Sequence, residues 1–560
     1  MLITAERVQS PAGRDGEGGQ RRTVPPGRSF SFLPRLAAPL VAASVAVFLA
    51  APWLDERLVW GAWIGVAIGL MVVPSLRGWR GEAWALAAAF SALAIAFHWT
   101  PRTLATAMAS TYFSGLFVAI PVVAWDALRL AAPVLLAARV TQSPGIAWLP
   151  AALFACAIEA AWPSVFPWKL GYAQAGWPLL VQAVDLFGPE TATFVLFAHA
   201  GAIVWALEAI GIVRRAGPRW IGAAAAIVCL LNAAYGVVSL ATWEARVSRA
   251  PSFTATLVQT NPGDPDGIAA LRSLTAARTG AEPPDLVCWP ECSAGEFDCR
   301  LDSFADPERV AGLSRQEADG GLLEGPLGAQ LLCGGIVYEG YAERPAALHQ
   351  SALLVDAAGG LRGRYHKRHL MPFGEYVPLA AIWPDLRRRF PLVDDFSRGT
   401  DATVLAGDDG LRIGTLLCYE DMVPGAARSL VLRGANVLVS LVNGNAFTAT
   451  LTLRQHRQLA QLRAVECRRS LLRCAATGET CVISPLGRIV AALPLHSRGT
   501  LDARVPLIDT VTFASRLGPL FPAVCGVVGI AMLIGRRVWP RSPVGVVPEK
   551  GYFDARSRDR

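Results

Sequence analysis

At 560 residues, 53% hydrophobic and only 17% charged, with a mean hydropathy of +0.38, the chain lies outside the range of ordinary soluble globular proteins. It reads as a membrane protein with room for one sizeable soluble domain. The formal net charge of +8 does not mark a nucleic-acid-binding face, because the arginines gather in short stretches between apolar spans, where they act as topology signals.

Residues 1–32 are rich in Arg, Gly, Pro and Ser and predict a disordered cytoplasmic tail. No small-residue cleavage site follows the first apolar run, so that run is kept as a span. A membrane domain over 33–242 is predicted, with helices at roughly 34–53, 58–76, 83–100, 111–128, 144–163, 191–213 and 220–242, most near bilayer length. An eighth span is predicted at 517–535, followed by a second cytoplasmic tail over 536–560. Arg21, Arg22 and Arg28 precede the first span, Arg77 and Arg80 follow the second, and Arg129 and Arg139 follow the fourth. Arg214, Arg215 and Arg219 follow the sixth, and Arg536, Arg537 and Arg541 the eighth. By the positive-inside rule both termini are cytoplasmic, and the soluble segment 243–516 is on the outer face. Glu159 and Asp126 are the main acidic residues in the spans, too few for an ion path, which argues against a transporter.

The soluble segment alternates short β-rich runs with helical ones. Strands are predicted at 253–258, 285–289, 331–337, 351–355, 411–417, 436–442 and 470–475, many apolar on both faces. A helix is predicted from Thr450 to Cys467, with Leu451, Leu459, Leu462 and Val465 facing inward. The pattern is that of a layered α/β domain. Cys156, Cys229 and Cys525 fall in apolar spans and read as packing residues. Cys288, Cys292 and Cys299 lack the histidine partners of a zinc site, so no metal is expected; an oxidising compartment would allow a disulfide among them.

Three residues in this segment form a chemical kit. Cys418 ends the apolar run Leu411–Leu417 and is followed by Tyr419, Glu420 and Asp421. A tight turn after a buried strand exposes a nucleophile while rigid backbone fixes it. A free thiol has a pKa of about 8.5 and needs a base or a cation to act near neutrality. Glu291, ending the run Asp285-Leu-Val-Cys-Trp-Pro290, can be the base. Lys367, in the charged loop Gly363–Pro378, can stabilise a tetrahedral oxyanion. Together they suffice for acyl transfer through a thioester, and a neighbouring bilayer points to a lipid as acyl donor.

The order and context of these residues resemble the nitrilase (carbon–nitrogen hydrolase) superfamily. The resemblance rests on Trp289-Pro290-Glu291, then Tyr365-His366-Lys367-Arg368-His369-Leu370 with Pro372-Phe373-Gly374-Glu375-Tyr376-Val377-Pro378, then Cys418-Tyr419-Glu420-Asp421. With the span order and Phe166-Pro167-Trp168, Leu170-Gly171-Tyr172 and Gln174, the chain is more closely similar to the membrane branch, the apolipoprotein N-acyltransferases. The resemblance implies a polytopic α-helical membrane domain of about eight spans plus an α/β nitrilase-like αββα sandwich. It implies a Glu291–Lys367–Cys418 triad, supported by Glu375, Tyr419, Glu420 and Asn443. The implied reaction is ping-pong and needs no cofactor. Cys418 takes the sn-1 acyl chain of a phospholipid as a thioester. The N-terminal amine of an S-diacylglyceryl-cysteine apolipoprotein then takes it as an amide. The implied setting is a monomer in the bacterial inner membrane, with the catalytic domain periplasmic.

The chain departs from the family pattern in places. Where members commonly read Asn-Asp-x-Trp-Phe, it has Asn443-Gly444-Asn445-Ala446-Phe447; where a Thr-Asn pair often precedes Gly, it has Ala475-Ala476-Thr477-Gly478. Val258-Gln259-Thr260-Asn261 survives, but the Trp expected after it is missing. These changes bear on substrate shape and leave two alternatives open: a membrane-tethered amidase or nitrilase-like hydrolase, and a non-catalytic lipoprotein-binding paralogue. Leu379–Val393, with Ile382, Trp383, Leu386, Phe390, Leu392 and Arg387–Arg389, reads either as a loop that dips into lipid headgroups and gates acyl entry or as an ordinary covered loop. His456 reads as structural.

Overall fold

The computed structural model describes residues 37–214, 218–260, 267–279, 282–294, 296–299, 327–339, 347–393, 395–445, 447 and 450–538. The predicted tail 1–32, nearly all of 536–560, and Ala446 lie outside them. Each predicted span falls on a helix: Ala37–Leu54, Val59–Met71, Trp79–Ala96, Tyr112–Val140, Pro144–Ala161, Glu190–Ala209, Arg219–Val247 and Leu520–Val538. Among the described residues four helices are long and apolar enough to cross a membrane. They become five if Trp79–Ala96 and Thr100–Ala107, bent by 66°, form one span. Large apolar side chains such as Phe113, Phe117 and Leu230 face outward, as expected where lipid is the solvent.

Two sequence expectations are corrected in this half. The fourth apolar run does not end at 128; its helix continues to Val140. Arg129 is therefore not a loop residue, and its side chain is buried, donating Nη1–H to Trp168 O at 2.9 Å. A charged residue inside an apolar stretch reads as a boundary, but a tertiary partner lets the helix run on.

The remaining strands are β1 (Ser252–Gln259), β2 (Leu286–Cys288), β3 (Glu296–Cys299), β4 (Gln330–Glu339), β5 (Ala347–Val355), β6 (Leu361–His366), β7 (Val404–Ala406), β8 (Arg412–Leu417), β9 (Val437–Val442), β10 (Leu471–Ala475), β11 (Cys481–Ile483), β12 (Ile489–Ala492) and β13 (Gly499–Pro506). They form two sheets, ordered β13-β1-β2-β4-β5-β6 with β3 on β4, and β12-β11-β10-β9-β8-β7. Ala255 and Leu257 of β1, Leu354 of β5, Ile413 of β8 and Leu472 of β10 share one core between the sheets. Leu271 of helix Gly267–Ala276 covers the outside of the first sheet. Helices Pro424–Leu432 and Thr450–Cys467 cover the second through Leu430, Ala460 and Ala464. The result is an αββα sandwich. All seven predicted strands are present. β6 departs from the loop the sequence predicts: with Arg362 and Arg364 in it and Tyr365 as its one fully buried residue, it carries little apolar signal, yet it pairs antiparallel with β5.

Helix Thr450–Cys467 shows how the halves join. Leu459, Leu462 and Val465 pack into the membrane-helix core, not onto the sheet, while the small Ala460 and Ala464 meet the sheet; Leu451 is only partly buried. From Gln455 onward its polar residues are buried as well. Gln455 donates Nε2–H to Trp53 O and Ala96 O, both at 2.9 Å, and accepts from Trp99 Nε1 at 2.9 Å. Arg457 pairs with Glu56 at 2.8 Å, and Arg463 donates to the Tyr172 hydroxyl at 2.7 Å. Just past the helix, Arg468 donates to Asp185 at 2.6 Å, Gln182 at 2.7 Å and Ser239 at 2.8 Å.

Removing one member of a buried ion pair leaves the other charge unpaired and costs about 3–5 kcal/mol, whereas an exposed pair contributes at most about 1 kcal/mol. Asp185→Ala is therefore expected to lower the melting temperature in detergent clearly. Asp509→Ala, which removes an exposed partner of Arg412, leaves it nearly unchanged. Equal shifts in the two variants would contradict the role of the Arg468 cluster.

Candidate active site

The site forms at the ends of strands from both sheets. Glu291 follows β2 on a turn tied to β4: Ala294 donates its N–H to Gly334 O at 2.9 Å, and Gly334 to Pro290 O at 3.2 Å. Gly334 is needed there, since a Cβ on it would come within 2.5 Å of Glu291 Cα. Lys367 follows β6, its backbone held by Gln350 O at 2.8 Å and by Gly399 N at 2.8 Å. Cys418 follows β8 and takes φ +45°, the left-handed region that a side chain adopts only when its surroundings hold it there. The strain turns the chain sharply into the short 3-10 helix Cys418–Met422.

These elements bring the predicted residues together. The Lys367 side chain is fully buried and donates Nζ–H to Glu291 Oε1 and Gln350 Oε1, both at 2.9 Å, and to Glu375 Oε1. Asn443 links Glu291 to Cys418 through its backbone: its N–H donates to Glu291 Oε2 at 3.2 Å, and its carbonyl accepts from Cys418 Sγ at 3.9 Å. Glu375 Oε2 accepts from Met371 N at 2.9 Å, so the Lys loop closes on itself. Among the described residues, Glu420 bonds to the neighbours of Lys367 and not to its ammonium. Its two carboxylate oxygens accept from the Tyr365 hydroxyl at 2.9 Å, from the N–H groups of Arg368 and His369 at 2.8 and 3.0 Å, and from Leu417 N at 3.0 Å. It thereby fixes the Lys loop to the Cys turn. Tyr419 packs into the core of the membrane helices.

Three groups shape the site without having been singled out from sequence. Gln350, the third Lys367 ligand, is a buried amide inside an apolar strand. Tyr365 carries no sequence signal beyond its place in the Lys-loop motif, yet its hydroxyl donates to Glu420. Asp421 was also read only in its motif; it accepts from Ser440 at 2.8 Å, His456 at 2.7 Å and Arg473 at 3.2 Å, which gives His456 a structural partner. The two segments that depart from the family pattern prove to be one unit. Gly444 donates its N–H to Thr477 O at 3.0 Å, and a Cβ on Gly444 would lie 2.3 Å from that oxygen. Cys288 is an unbridged buried thiol, while the Cys299 side chain lies outside the described residues.

Burial alone would lower the Lys367 ammonium, but Glu291 and Glu375 outweigh it and hold its pKa well above the ordinary value. That contribution to stability is present below the ordinary lysine value of about 10.4 and is lost only as pH rises through the folded one. Burial raises Glu291, with Lys367 opposing. Burial, then Glu291, pushes the Cys418 thiol well up, with Lys367 opposing. Cys418 thus rests as a thiol beside a carboxylate. Such an arrangement suits a nucleophile that loses its proton to the base during attack. Burial and the nearby Arg368 and Arg398 depress His369 to about 4.

The Carbon-nitrogen hydrolase family matches residues 254–514. The chain is 32% identical over 386 residues to the apolipoprotein N-acyltransferase of Geobacter metallireducens, covering 66% of this chain and 70% of that protein. It is 30% identical over 542 residues to the apolipoprotein N-acyltransferase of Rhizobium meliloti, covering 90% and 93%. The chain belongs to the apolipoprotein N-acyltransferase family. Among solved structures, an amidase from Nesterenkonia sp. superposes with a TM-score of 0.31 at 19% identity, over 46% of this chain and 92% of that one.

A thiol with a raised pKa is alkylated slowly at neutral pH. Peptide-resolved iodoacetamide labelling of Cys418 is expected to keep accelerating as pH passes the ordinary thiol value of about 8.5. A rate that plateaus near pH about 6, the mark of a preformed thiolate, would contradict this resting state.

Proposed function

We propose that this protein is a membrane acyltransferase that N-acylates apolipoproteins, with Cys418 as nucleophile, Glu291 as general base and Lys367 as the cation facing the oxyanion. The observation that carries the reading is the Lys367 ammonium locked between Glu291 and Glu375, with Asn443 joining Glu291 to Cys418. In the first half-reaction Glu291 takes the Cys418 proton and sulfur attacks the sn-1 ester of a phospholipid. The tetrahedral oxyanion collapses, the ester C–O bond breaks, and lysophospholipid leaves with the proton from Glu291. In the second, the α-amine of the diacylglyceryl cysteine attacks the thioester. Its proton passes by way of Glu291 to the departing sulfur, which restores the thiol. Glu375 and Gln350 position Lys367, Glu420 positions the two loops, and Tyr419 lines the face toward the membrane helices.

The setting we propose is the bacterial inner membrane, with the catalytic domain periplasmic and the protein acting as a monomer. One helix supports the orientation. Near the start of Tyr112–Val140, Val118 packs with Val377, Phe390 and Val393 of the catalytic half. Its last turn carries Arg139, paired with Glu82, and Arg77 donates to Ala138 O at 3.0 Å. A helix of 29 residues spans about 43 Å, so the arginine-rich end lies far from the catalytic domain, as positive-inside topology requires. The segment after Pro378 supports a lipid-facing loop: Leu379, Ile382, Trp383 and Leu392 are exposed, while Phe390 and Val393 anchor it.

Purified protein given a phospholipid is expected to release lysophospholipid and to carry one hydroxylamine-labile acyl chain on the Cys418 peptide, with Cys418→Ala carrying none. An acyl chain mapped elsewhere, or ammonia release from simple amides with no lipid consumed, would overturn the proposal. Trp383→Asp is expected to slow thioester formation from vesicles more than from detergent-dispersed donor; equal slowing would remove the loop from lipid entry.

A further inference from the structure

A second feature lies on the membrane side of the site. A cavity of about 580 Å³, within the usual ~300–1,000 Å³ of small-ligand sites, opens between the two halves of the molecule. The catalytic half contributes His369, Tyr376, Tyr419 and Arg428, so the cavity adjoins both the Lys367 loop and the Cys418 turn. The membrane half contributes Arg129, Glu159, Lys169 and Glu190, and Gly518 and Pro519 lead into the last helix.

The charges in this cavity do not cancel. Its acids are already satisfied by the protein. Glu190 pairs with Lys169 at 2.8 Å, and Glu466 with Arg463 at 2.5 Å. Glu159 accepts from Leu170 N at 2.7 Å and Thr193 Oγ1 at 2.6 Å. The arginines are not matched in the same way. Arg428 donates Nε–H to Ser515 O at 2.8 Å, and Arg398 lies over the Tyr376 ring at 5.3 Å; among the described residues neither has an ion-pair partner. Arg129 has Asp126 only at 3.7 Å, and its buried Nη2 has no hydrogen-bond acceptor. Arg428 is also held in place. Gly518, at φ +58°, leaves the space its guanidinium occupies, and a Cβ there would lie 2.8 Å from Arg428 Nη2. A fixed guanidinium without a carboxylate partner, in a walled cavity, is suited to bidentate recognition of a phosphate.

We propose that this cavity seats the phosphodiester headgroup of the acyl donor, with Arg428 and Arg398 as its main ligands and Arg129 adding positive potential at the floor. The inference rests on the proposed acyl transfer from phospholipid and adds where that lipid's phosphate is held. Seating the phosphate beside Tyr419 and His369 brings the glycerol esters toward Cys418, one residue from Tyr419.

The test is the first half-reaction alone, read as acyl-Cys418 by intact mass against phospholipid concentration, for Arg398→Gln, Arg428→Gln and the double variant. Each single change is expected to raise the donor KM about tenfold, the loss of one charge-assisted hydrogen bond, with a smaller effect on kcat. The KM for a diacylglyceryl-peptide acceptor is expected to stay unchanged. Soluble glycerophosphoethanolamine is expected to compete with donor in the wild-type protein and much less in the double variant. Arg398 is exposed, so its variant remains informative should Arg428→Gln fail to fold. An unchanged donor KM would overturn the proposal. So would a shift in the acceptor KM alone, which would assign the cavity to the acceptor's acidic groups. Wild-type protein that forms no acyl-Cys418 from any phospholipid would overturn the parent reading and this inference with it.

Discussion

A single ammonium group, removed from water entirely, organises the catalytic half. Desolvating a lysine costs several kcal/mol unless its donors are all used. Here each Lys367 donor meets an oxygen: two carboxylates and one amide. Those acceptors come from the turn after β2, from β5 and from the loop after β6, so satisfying one charge fixes three separate segments. Cys418 is then positioned by a fourth, through Glu420 and Asn443. Under the proposed mechanism stability and chemistry are coupled in this arrangement, because the carboxylate that neutralises the lysine would also accept the thiol proton.

The same logic operates where the two halves meet. From Gln455 onward helix Thr450–Cys467 is buried on every side, yet it is rich in Gln and Arg, because it fills the gap between a sheet and a bundle of membrane helices. Its small residues suit the sheet, its leucines the bundle, and its polar groups bond to helix ends that would otherwise leave carbonyls unsatisfied, as at Trp53 and Ala96. Cys418 is therefore held at a defined position relative to the membrane helices, with the adjacent Tyr419 inserted among them. If both substrates come from the bilayer, as proposed, that registration matters as much as the thiol itself.

Much of this was legible in the sequence because it is locally encoded. Doubly apolar runs mark β1, β5, β8, β9 and β10, Glu291 and Cys418 each stand just beyond such a run, and Lys367 sits in a charged motif loop. What escaped notice depends on partners distant in sequence. β6 is polar and becomes a strand by pairing with β5. Gln350 is one amide among many until Lys367 approaches it. Arg129 looks like a loop charge until Trp168 and Asp126 surround it. Glu420, by contrast, was singled out from its motif, but its task of joining two loops through Tyr365, Arg368 and Leu417 has no signature along the chain. The coupling of Gly444 to Thr477 shows that two departures from the family pattern are one local solution, since the backbone there leaves no space for a side chain.

The central claim is that the carboxylate neutralising the buried lysine is also the base that ionises the cysteine. Glu291→Gln removes the proton acceptor while keeping a hydrogen-bond acceptor for Lys367, with Glu375 still present as its counter-charge. Intact-mass kinetics of acyl-Cys418 formation with saturating phospholipid test this directly. The account predicts a folded variant that forms the thioester about 10²–10⁴-fold more slowly than wild type, the usual contribution of a general base. A folded variant that acylates Cys418 at the wild-type rate would contradict it.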